Sequence, residues 1–246
     1  MGAMSMLTDI TERKKAEEAL ERMDKARIKE IHHRIKNNLQ IIYSLLDLQA
    51  EKFKDGNVIE AFREGQNRVI SMSLIHEELY KGEGTDTLDF SAYFKKLAEN
   101  LFKTYNLSSK NISLSMDLEE DTFFDMDTAV PLGIIVNELV SNSLKHAFNE
   151  DEEGKIRIKL CREEKNSEMG MSLFSLTVSD DGKGLPDDME LKCVESLGLQ
   201  LVNILVDQLD GELQLKREQG TEFTIKFKVI EKDNPAHAGL KSQKNG

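Results

Sequence analysis

The chain has 246 residues, of which 39% are hydrophobic and 32% are charged, and it contains no tryptophan. This composition is typical of a folded, soluble protein, and the length suits one large domain or two small ones. The formal net charge of -12 argues against a nucleic-acid-binding protein, because neutralising phosphates requires clustered lysines and arginines.

The two cysteines, Cys161 and Cys193, follow no metal-site spacing, and so few in a chain of this length indicate a reducing compartment. No run approaches the roughly 18 apolar residues that a membrane span requires, and no signal peptide is recognisable. We therefore expect a cytoplasmic location and no membrane contact from this segment. The opening MGAMSM, residues 1–6, is typical of a sequence left by a cloning vector and is excluded from the fold prediction.

Residues 7–82 predict two helices that form a hairpin. Residues 7–53 contain no proline or glycine and are rich in Glu, Lys, Arg, Ala and Leu, which are strong helix formers. A turn over KDGN, residues 54–57, separates them from a second pattern in which apolar residues recur at spacings of three and four. Two helices bury too little surface for a stable core, so we expect two copies to pair as a homodimeric four-helix bundle.

A linker is predicted at residues 83–89, because KGEGTDT, residues 81–87, interrupts the helical pattern. Beyond it, helices are predicted over residues 90–105, 128–148 and 197–209. Strands are predicted over residues 111–118, 155–163, 172–180, 212–218 and 221–229. Residues 90–232 therefore predict a mixed sheet covered on one face by helices, an α/β sandwich, and the polar tail 233–246 is expected to be disordered.

EIHHRIKNNLQ, residues 30–40, places two of the five histidines side by side on the first helix. On a helical wheel one apolar stripe contains Ile28, Ile31, Ile35, Leu39, Ile42 and Leu46. His32 lies at the edge of this stripe, which favours a packing role, whereas His33 lies on the opposite, solvent-facing side. A neutral imidazole is a competent nucleophile near neutral pH, so His33 is a candidate phosphoryl acceptor if the chain also holds a phosphoryl donor.

VNELVSNSLKHAF, residues 136–148, places polar side chains in one row on a helix whose other face is apolar. Glu138, Asn142 and Lys145 share this row, and His146 lies beside it. Taken alone, the row is most simply a solvated helix face. In a functional interpretation, Asn142 offers an oxygen to Mg²⁺, Lys145 contacts phosphate and Glu138 orients a group or accepts a proton.

VSDDGKGLP and ESLGLQLV, residues 178–186 and 195–202, favour the functional interpretation. Gly182 and Gly184 follow an acidic strand end at G-x-G spacing, where the backbone can approach a ligand closely. Gly198 opens a helix, whose first N–H groups and dipole favour phosphate. Each signal is weak alone, but their combination is specific.

These segments resemble the Bergerat ATP-binding fold, which gyrase, mismatch-repair ATPases and histidine kinases share. NELVSNSLKHA resembles its N box, DDGKG its G1 box and SLGLQLV its G2 box. HHRIKNNLQIIYSLLDLQ resembles the phosphoacceptor box of a histidine kinase subgroup close to the HWE kinases, and LTDITERKKAEEAL is similar to the exit from a PAS sensor domain. The resemblance covers nearly all of residues 7–230 and implies a sensor histidine kinase catalytic core.

The resemblance also implies roles for individual residues in binding ATP and Mg²⁺. Asn142 would bind Mg²⁺, Asp180 would hydrogen-bond the adenine amino group, and Thr221 would lie near the adenine. The residues implied to shape the nucleotide loop or contact the phosphates are Gly182, Gly184, Gly198, Leu199, Lys145 and His146.

The histidine before Arg34 matches the subgroup's phosphorylated residue, which is His33, with His32 as the alternative. The implied reaction is autophosphorylation, within one chain or between protomers, and then transfer to an aspartate of a response regulator receiver domain. A PAS-like sensor domain is implied upstream in a parent protein. The sequence departs from the better-known kinases in lacking an H-E-x-x-x-P acceptor box and an F box, and in carrying Ser196 where a glycine is common.

Two other functions fit parts of the pattern. One is a non-catalytic dimeric scaffold in which ATP binding biases the helical bundle. The other is a gyrase-like ATPase that hydrolyses ATP to drive dimer opening, which leaves the His33 box unexplained.

Overall fold

The computed structural model describes residues 2–81, 88–104, 112–120, 122–149, 152–166, 171–185 and 196–230. Most of the predicted linker, the polar segment before the third helix of the second region with Cys193, and the tail 233–246 lie outside the described residues. Cys161 lies on a strand and forms no disulfide. Within the described part of the chain, no helix is long and apolar enough to cross a bilayer.

The first region is a hairpin of two long helices, α1 (Gly2–Ala50) and α2 (Gly56–Lys81). Helix α1 begins inside the six residues that were excluded from the fold prediction, and the turn lies close to the predicted KDGN. Near the turn, the Gln66 side-chain amide donates to the Asp47 carboxylate over 3.0 Å. The two helices therefore run antiparallel, as the sequence predicts.

Helix α2 covers only one flank of the apolar stripe on α1. Ile28, Ile31 and Ile42 keep exposed fractions of 41%, 48% and 44%, although the wheel assigns them to a helix-bundle core. Further along α1, Leu45 and Leu48 are also more than half exposed. Single monomers rarely leave so continuous an apolar strip in contact with water.

The second region is a mixed sheet with three helices, as predicted. Its elements are β1 (Leu88–Asp89), α3 (Phe90–Thr104), β2 (Ile112–Leu118), β3 (Phe123–Phe124), α4 (Met126–Asn142), β4 (Gly154–Asn166), β5 (Met171–Asp180), α5 (Leu197–Gln208), β6 (Glu212–Lys216) and β7 (Thr221–Ile230). The five-stranded sheet has the order β2-β4-β5-β7-β6, in which β2 and β4 are parallel and the other pairs are antiparallel. The two-residue pair β1–β3 was not predicted, because two residues carry no periodicity.

Alternate residues of the central strands are buried, which places the helices on one face of the sheet. On β7 the buried positions include Phe223, Ile225, Phe227 and Val229. The ring of Phe124 lies 4.8 Å from Phe90 of α3 and 5.2 Å from Phe174 of β5, measured between centroids. These aromatic contacts join helix and sheet into one core.

Helix α4 begins two residues earlier than predicted, where the Asp125 carboxylate accepts from the Thr128 amide over 3.0 Å as an N-cap. Pro131 therefore lies in the second helical turn. Helix α4 ends at Asn142, and the chain continues as a π-helical turn over Ser143–Ala147. Helix α3 is capped by Asp89, whose carboxylate accepts from the Ala92 amide over 3.1 Å.

Gly133 tests the packing between α3 and α4. A Cβ atom at this position would overlap the hydroxyl of the fully buried Tyr93 and lie 2.8 Å from its Cζ. We expect Gly133→Ala to lower the free energy of unfolding by ~1–3 kcal/mol, because the rigid ring must shift. Gly56→Ala is the matched control, since a Cβ there meets nothing within 4 Å. Urea unfolding of both variants measures the difference, and equal stabilities would contradict this account of the interface.

Candidate functional site

The carboxylate of Asp180, at the end of β5, is buried and receives hydrogen bonds from three segments. The Ser143 hydroxyl donates to Oδ2 over 2.7 Å, while the amides of Gly182 and Thr221 donate to Oδ1 over 3.2 and 3.3 Å. Burying a charge is costly without such donors, so the three bonds are what allow a carboxylate at this position. Asp180 and Thr221 are also register partners on β5 and β7.

The glycine-rich loop after Asp180 packs closely on the π-helical turn. A Cβ on Gly182 would overlap the backbone of Ala147, and the Lys183 amide donates to the Ala147 carbonyl over 3.0 Å. Gly184 has a φ of +73°, a conformation that side chains with a Cβ rarely adopt. The predicted G-x-G loop therefore joins the end of the α4 segment to the end of β5.

Ser143 is the residue of this site that the sequence analysis missed. On a regular helix it lies roughly 100° from Asn142, away from the polar row. The change from α-helix to π-helical turn begins at Ser143, whose hydroxyl reaches Asp180. A hydroxyl directly after the last polar residue of the helix is the only sequence signal for it.

Cationic side chains gather at the other end of the site. The pKa of His146 is lowered by partial desolvation of its ring and, secondarily, by the positive charges of Lys145 and Lys183, which outweigh the opposing charges of Glu64 and Glu60. Lysines at this position are candidate contacts for an anionic ligand, and in this conformation the Glu60 and Glu64 carboxylates lie against Lys145.

The N-terminus of α5 approaches the same end of the site. Gly198 is buried there, and a Cβ on it would lie 2.7 Å from Oε2 of Glu138. The first N–H groups of α5 belong to this region. The Leu199 side chain is buried in the hydrophobic core, so only its backbone can take the role predicted near the phosphates.

Two members of the polar row, Glu138 of α4 and Lys145 of the π-helical turn, face helix α2 and not solvent. Arg68 donates from Nε and Nη2 to the two oxygens of Glu138, both over 2.8 Å, and the Lys145 ammonium lies 2.7 Å from the carboxylates of Glu60 and Glu64. The wheel placed Glu138 and Lys145 on one face correctly. It could not show that the face is covered, because the complementary charges lie far away in the sequence.

Asn142 is half-buried at the end of α4, and its amide oxygen is a hard donor of the kind that Mg²⁺ accepts. Within the described residues no group of three or more His, Cys, Asp or Glu side chains could hold a metal ion. Mg²⁺ in phosphate-transfer sites commonly takes one or two protein oxygens and completes its shell with phosphate and water. One amide close in the chain to Lys145 and His146 fits that pattern.

The two adjacent histidines of α1 point in different directions, as the wheel predicts. His33 is exposed, while His32 is half-buried, and its Nδ1 lies 3.0 Å from Nδ1 of His76 on α2. One ring must donate and the other accept. One turn further along α1, Lys36 donates to Glu77 over 2.8 Å. These two contacts fix the rotation of α1 against α2, and so the outward direction of His33.

Comparison with known families supplies two matches. Residues 30–105 match a family described as histidine kinase, and residues 127–231 match one described as histidine kinase-, DNA gyrase B-, and HSP90-like ATPase. The first match contains both adjacent histidines, and the second contains every residue of the site around Asp180.

Individual proteins show the same similarity. The chain is 34% identical to the sensor histidine kinase PdtaS of Mycobacterium tuberculosis over 235 residues, which is 93% of this chain and 44% of that protein. It is 28% identical to blue-light-activated histidine kinase 2 of Erythrobacter litoralis over 193 residues, 76% of this chain and 52% of that protein. The chain thus spans only about half the length of these relatives.

Among solved structures, the histidine kinase domain of an Erythrobacter litoralis blue-light activated histidine kinase superposes with a TM-score of 0.60 at 25% identity. The match covers 82% of this chain and 91% of that domain. It includes a helical N-terminal region followed by an α/β sheet.

The Ser143 hydroxyl can be tested through nucleotide affinity. Replacing it in Ser143→Ala removes one of three donors to Asp180, and we expect roughly tenfold weaker binding of ADP, the usual cost of a hydrogen bond to a charged group. Ser172→Ala is the matched control, because Ser172 is also buried on β5 but its hydroxyl has no hydrogen-bond partner in the structure. Titration calorimetry measures both, and equal affinities would argue against the role of Ser143.

His76 predicts how stability depends on pH. Its pKa is lowered, first by burial and then by the charge of His32. A histidine that is harder to protonate when folded contributes stability that is fully present above its unfolded pKa of ~6.5 and is lost as the pH falls from there through the lowered folded pKa. We expect the midpoint temperature of unfolding to decrease when the pH is lowered from about 7.5 to 5.5, and to decrease less in His76→Gln. Parallel curves for the two proteins, followed by circular dichroism, would refute this.

Proposed function

The chain belongs to the histidine kinase family, and from this premise we propose that it autophosphorylates on His33 with Mg-ATP. The phosphoryl group would then pass to an aspartate on the receiver domain of a response regulator. The observation that carries the proposal is that one chain holds both an exposed imidazole on the matched helical hairpin and a buried acidic site with a cationic end in the matched ATPase region.

Asp180 supports recognition of the adenine. An ionised carboxylate only accepts hydrogen bonds, and the adenine amino group only donates them. With Ser143, Gly182 and Thr221 fixing its position, the carboxylate is oriented before the ligand arrives. We infer that Gly184 and Thr221 shape the same pocket.

The phosphates would lie at the cationic end of the site, near Lys145 and His146 and against the backbone of Gly198 and Leu199. Asn142 would hold Mg²⁺ through its amide oxygen. When bound, the ion would offset the negative charge that the phosphates carry during transfer. The contribution of these side chains is positioning and charge neutralisation rather than covalent chemistry.

In the first step, a ring nitrogen of His33 attacks the γ-phosphorus of ATP. A phosphorus–nitrogen bond forms, the bond from the γ-phosphorus to the bridging oxygen breaks, ADP leaves, and the imidazole loses its ring proton to solvent. In the second step a carboxylate oxygen of the receiver aspartate attacks the same phosphorus, and the phosphorus–nitrogen bond breaks. Glu138, the other candidate acceptor for this proton, is bound by Arg68 in this conformation and would become available only after that contact opens.

We infer that two copies assemble through the apolar stripe of α1. In one chain, the stripe residues Ile28, Ile31 and Ile42 expose a larger apolar strip to water than a soluble monomer usually does. Pairing two hairpins into a four-helix bundle would bury them.

Because the relatives are about twice as long, we also propose that a PAS-like sensor domain precedes this segment in its parent protein. We further propose that the reaction takes place in the cytoplasm, where ATP is supplied.

Phosphoryl transfer can be tested by incubating the protein with γ-labelled ATP and Mg²⁺. We expect label on the protein that is labile in acid and stable in base, because a phosphorus–nitrogen bond hydrolyses in acid. His33→Gln should abolish it, while His32→Gln should retain at least part of it.

The same assay separates the rival functions. Label lost only in His32→Gln would move the acceptor by one residue. Steady release of phosphate without labelled protein would favour a gyrase-like ATPase, and bound nucleotide with neither product would favour a scaffold.

A further inference from the structure

We propose that helix α2 binds the side of the α4 segment that faces the proposed phosphate position. A nucleotide must then displace α2 from this side in order to bind. The two contacting surfaces, here named the charge latch, consist of Glu60, Glu64, Arg68, Glu138 and Lys145. This inference rests on the proposed function, because it concerns access of ATP to the same site. Closed, the latch holds the ATPase region in a resting position away from His33.

The five charges of the latch alternate in sign. Lys145 of the π-helical turn lies 2.7 Å from both Glu60 and Glu64. Arg68 lies 3.8 Å from Glu64, and its guanidinium forms two 2.8 Å bonds with Glu138 of α4. On α2 the three residues recur every fourth position, which places them on one helix face. The two helices therefore present complementary rows.

Three of the five side chains of the latch are shielded from water. The side chains of Lys145, Arg68 and Glu138 are only 13%, 15% and 6% exposed. Charge pairs at such depth are screened far less than surface pairs. Separating a pair leaves each charge poorly compensated. This cost favours the observed alignment of α2 against the α4 segment over a shifted one.

The latch covers the place proposed for the phosphates. The carboxylates of Glu60 and Glu64 form ion pairs with the Lys145 ammonium, which a phosphate would otherwise contact. A Cβ on Gly198 would lie 2.7 Å from Glu138 and 3.9 Å from Arg68, so this pair abuts the N-terminus of α5. The acidic residues of α2 and the phosphates of a nucleotide thus compete for the same cations.

The latched position is also too far from the phosphoacceptor for transfer. The contact between His32 and His76 marks the level of His33 along α2. Arg68 lies roughly 12 Å and Glu60 roughly 24 Å from that level, at about 1.5 Å per residue. In-line transfer needs the reacting atoms ~3–3.5 Å apart, so for transfer within one chain the ATPase region must leave the latch before its own His33 can react.

Glu60→Gln/Glu64→Gln tests the latch without altering α4. We expect at least about fivefold tighter binding of a non-hydrolysable ATP analogue by calorimetry, because Lys145 no longer has competing carboxylates. Glu12→Gln/Glu17→Gln changes the net charge equally at exposed positions on α1 and should bind as the unaltered protein does. Unchanged affinity in the latch variant would overturn the proposal.

Hydrogen exchange gives a second readout that does not depend on phosphorylation. In the unaltered protein the analogue should speed amide exchange in residues 58–70 of α2, and the latch variant should exchange fast from the start. Amide exchange in residues 58–70 that responds neither to the analogue nor to the two substitutions would overturn the proposal. Tighter binding and faster exchange without any labelled histidine would support the latch while refuting the kinase reaction, and a labelled histidine with neither change would do the reverse.

Discussion

The buried carboxylate of Asp180 is the interaction on which the arrangement of the nucleotide site depends. A carboxylate this deep in the protein requires hydrogen-bond donors, and they come from the π-helical turn at Ser143, the loop at Gly182 and the start of β7 at Thr221. These segments are far apart in the sequence. Satisfying one charge therefore brings together the elements that surround the ligand, and it leaves an acceptor oriented towards the proposed adenine position.

The opposite end of the site depends on a different balance. Its cations are held by carboxylates of α2 in this conformation, and a triphosphate offers the same kind of ligand with more charge. Helix α2 also positions α1, which carries the proposed phosphoacceptor, through the contact between His32 and His76. One helix thus contacts both the proposed nucleotide site and the helix that carries His33. The proposed reaction requires the two regions to move relative to each other.

Much of this structure follows from local periodicity. Helical wheels placed His33 outside and His32 at the packed edge, because a straight helix repeats at 3.6 residues per turn. Alternation predicted the strands of the sheet, and the Gln219–Gly220 turn has the positive φ values that a tight hairpin requires. The N and G1 boxes predicted two of the segments that meet around Asp180, and the G2 box predicted the helix start that lies at the other end of the site.

The rest depended on interactions that periodicity does not encode. Ser143 joined the site only because the helix widens into a π-helical turn. The covering of Glu138 by Arg68 joins residues seventy positions apart, and a wheel of one helix carries no information about the other. The apolar stripe of α1 was predicted to be buried, and one chain leaves much of it exposed, because its proposed cover is a second copy.

The most direct test of this account compares the affinities of ATP and GTP for the unaltered protein and for Asp180→Asn. Guanine presents a carbonyl oxygen where adenine presents its amino group, so a fixed carboxylate should reject it. The account predicts that ATP binds at least about a hundredfold more tightly than GTP, and that Asp180→Asn loses most of this preference. Equal affinities of the unaltered protein for the two nucleotides, or full ATP affinity in Asp180→Asn, would contradict the account.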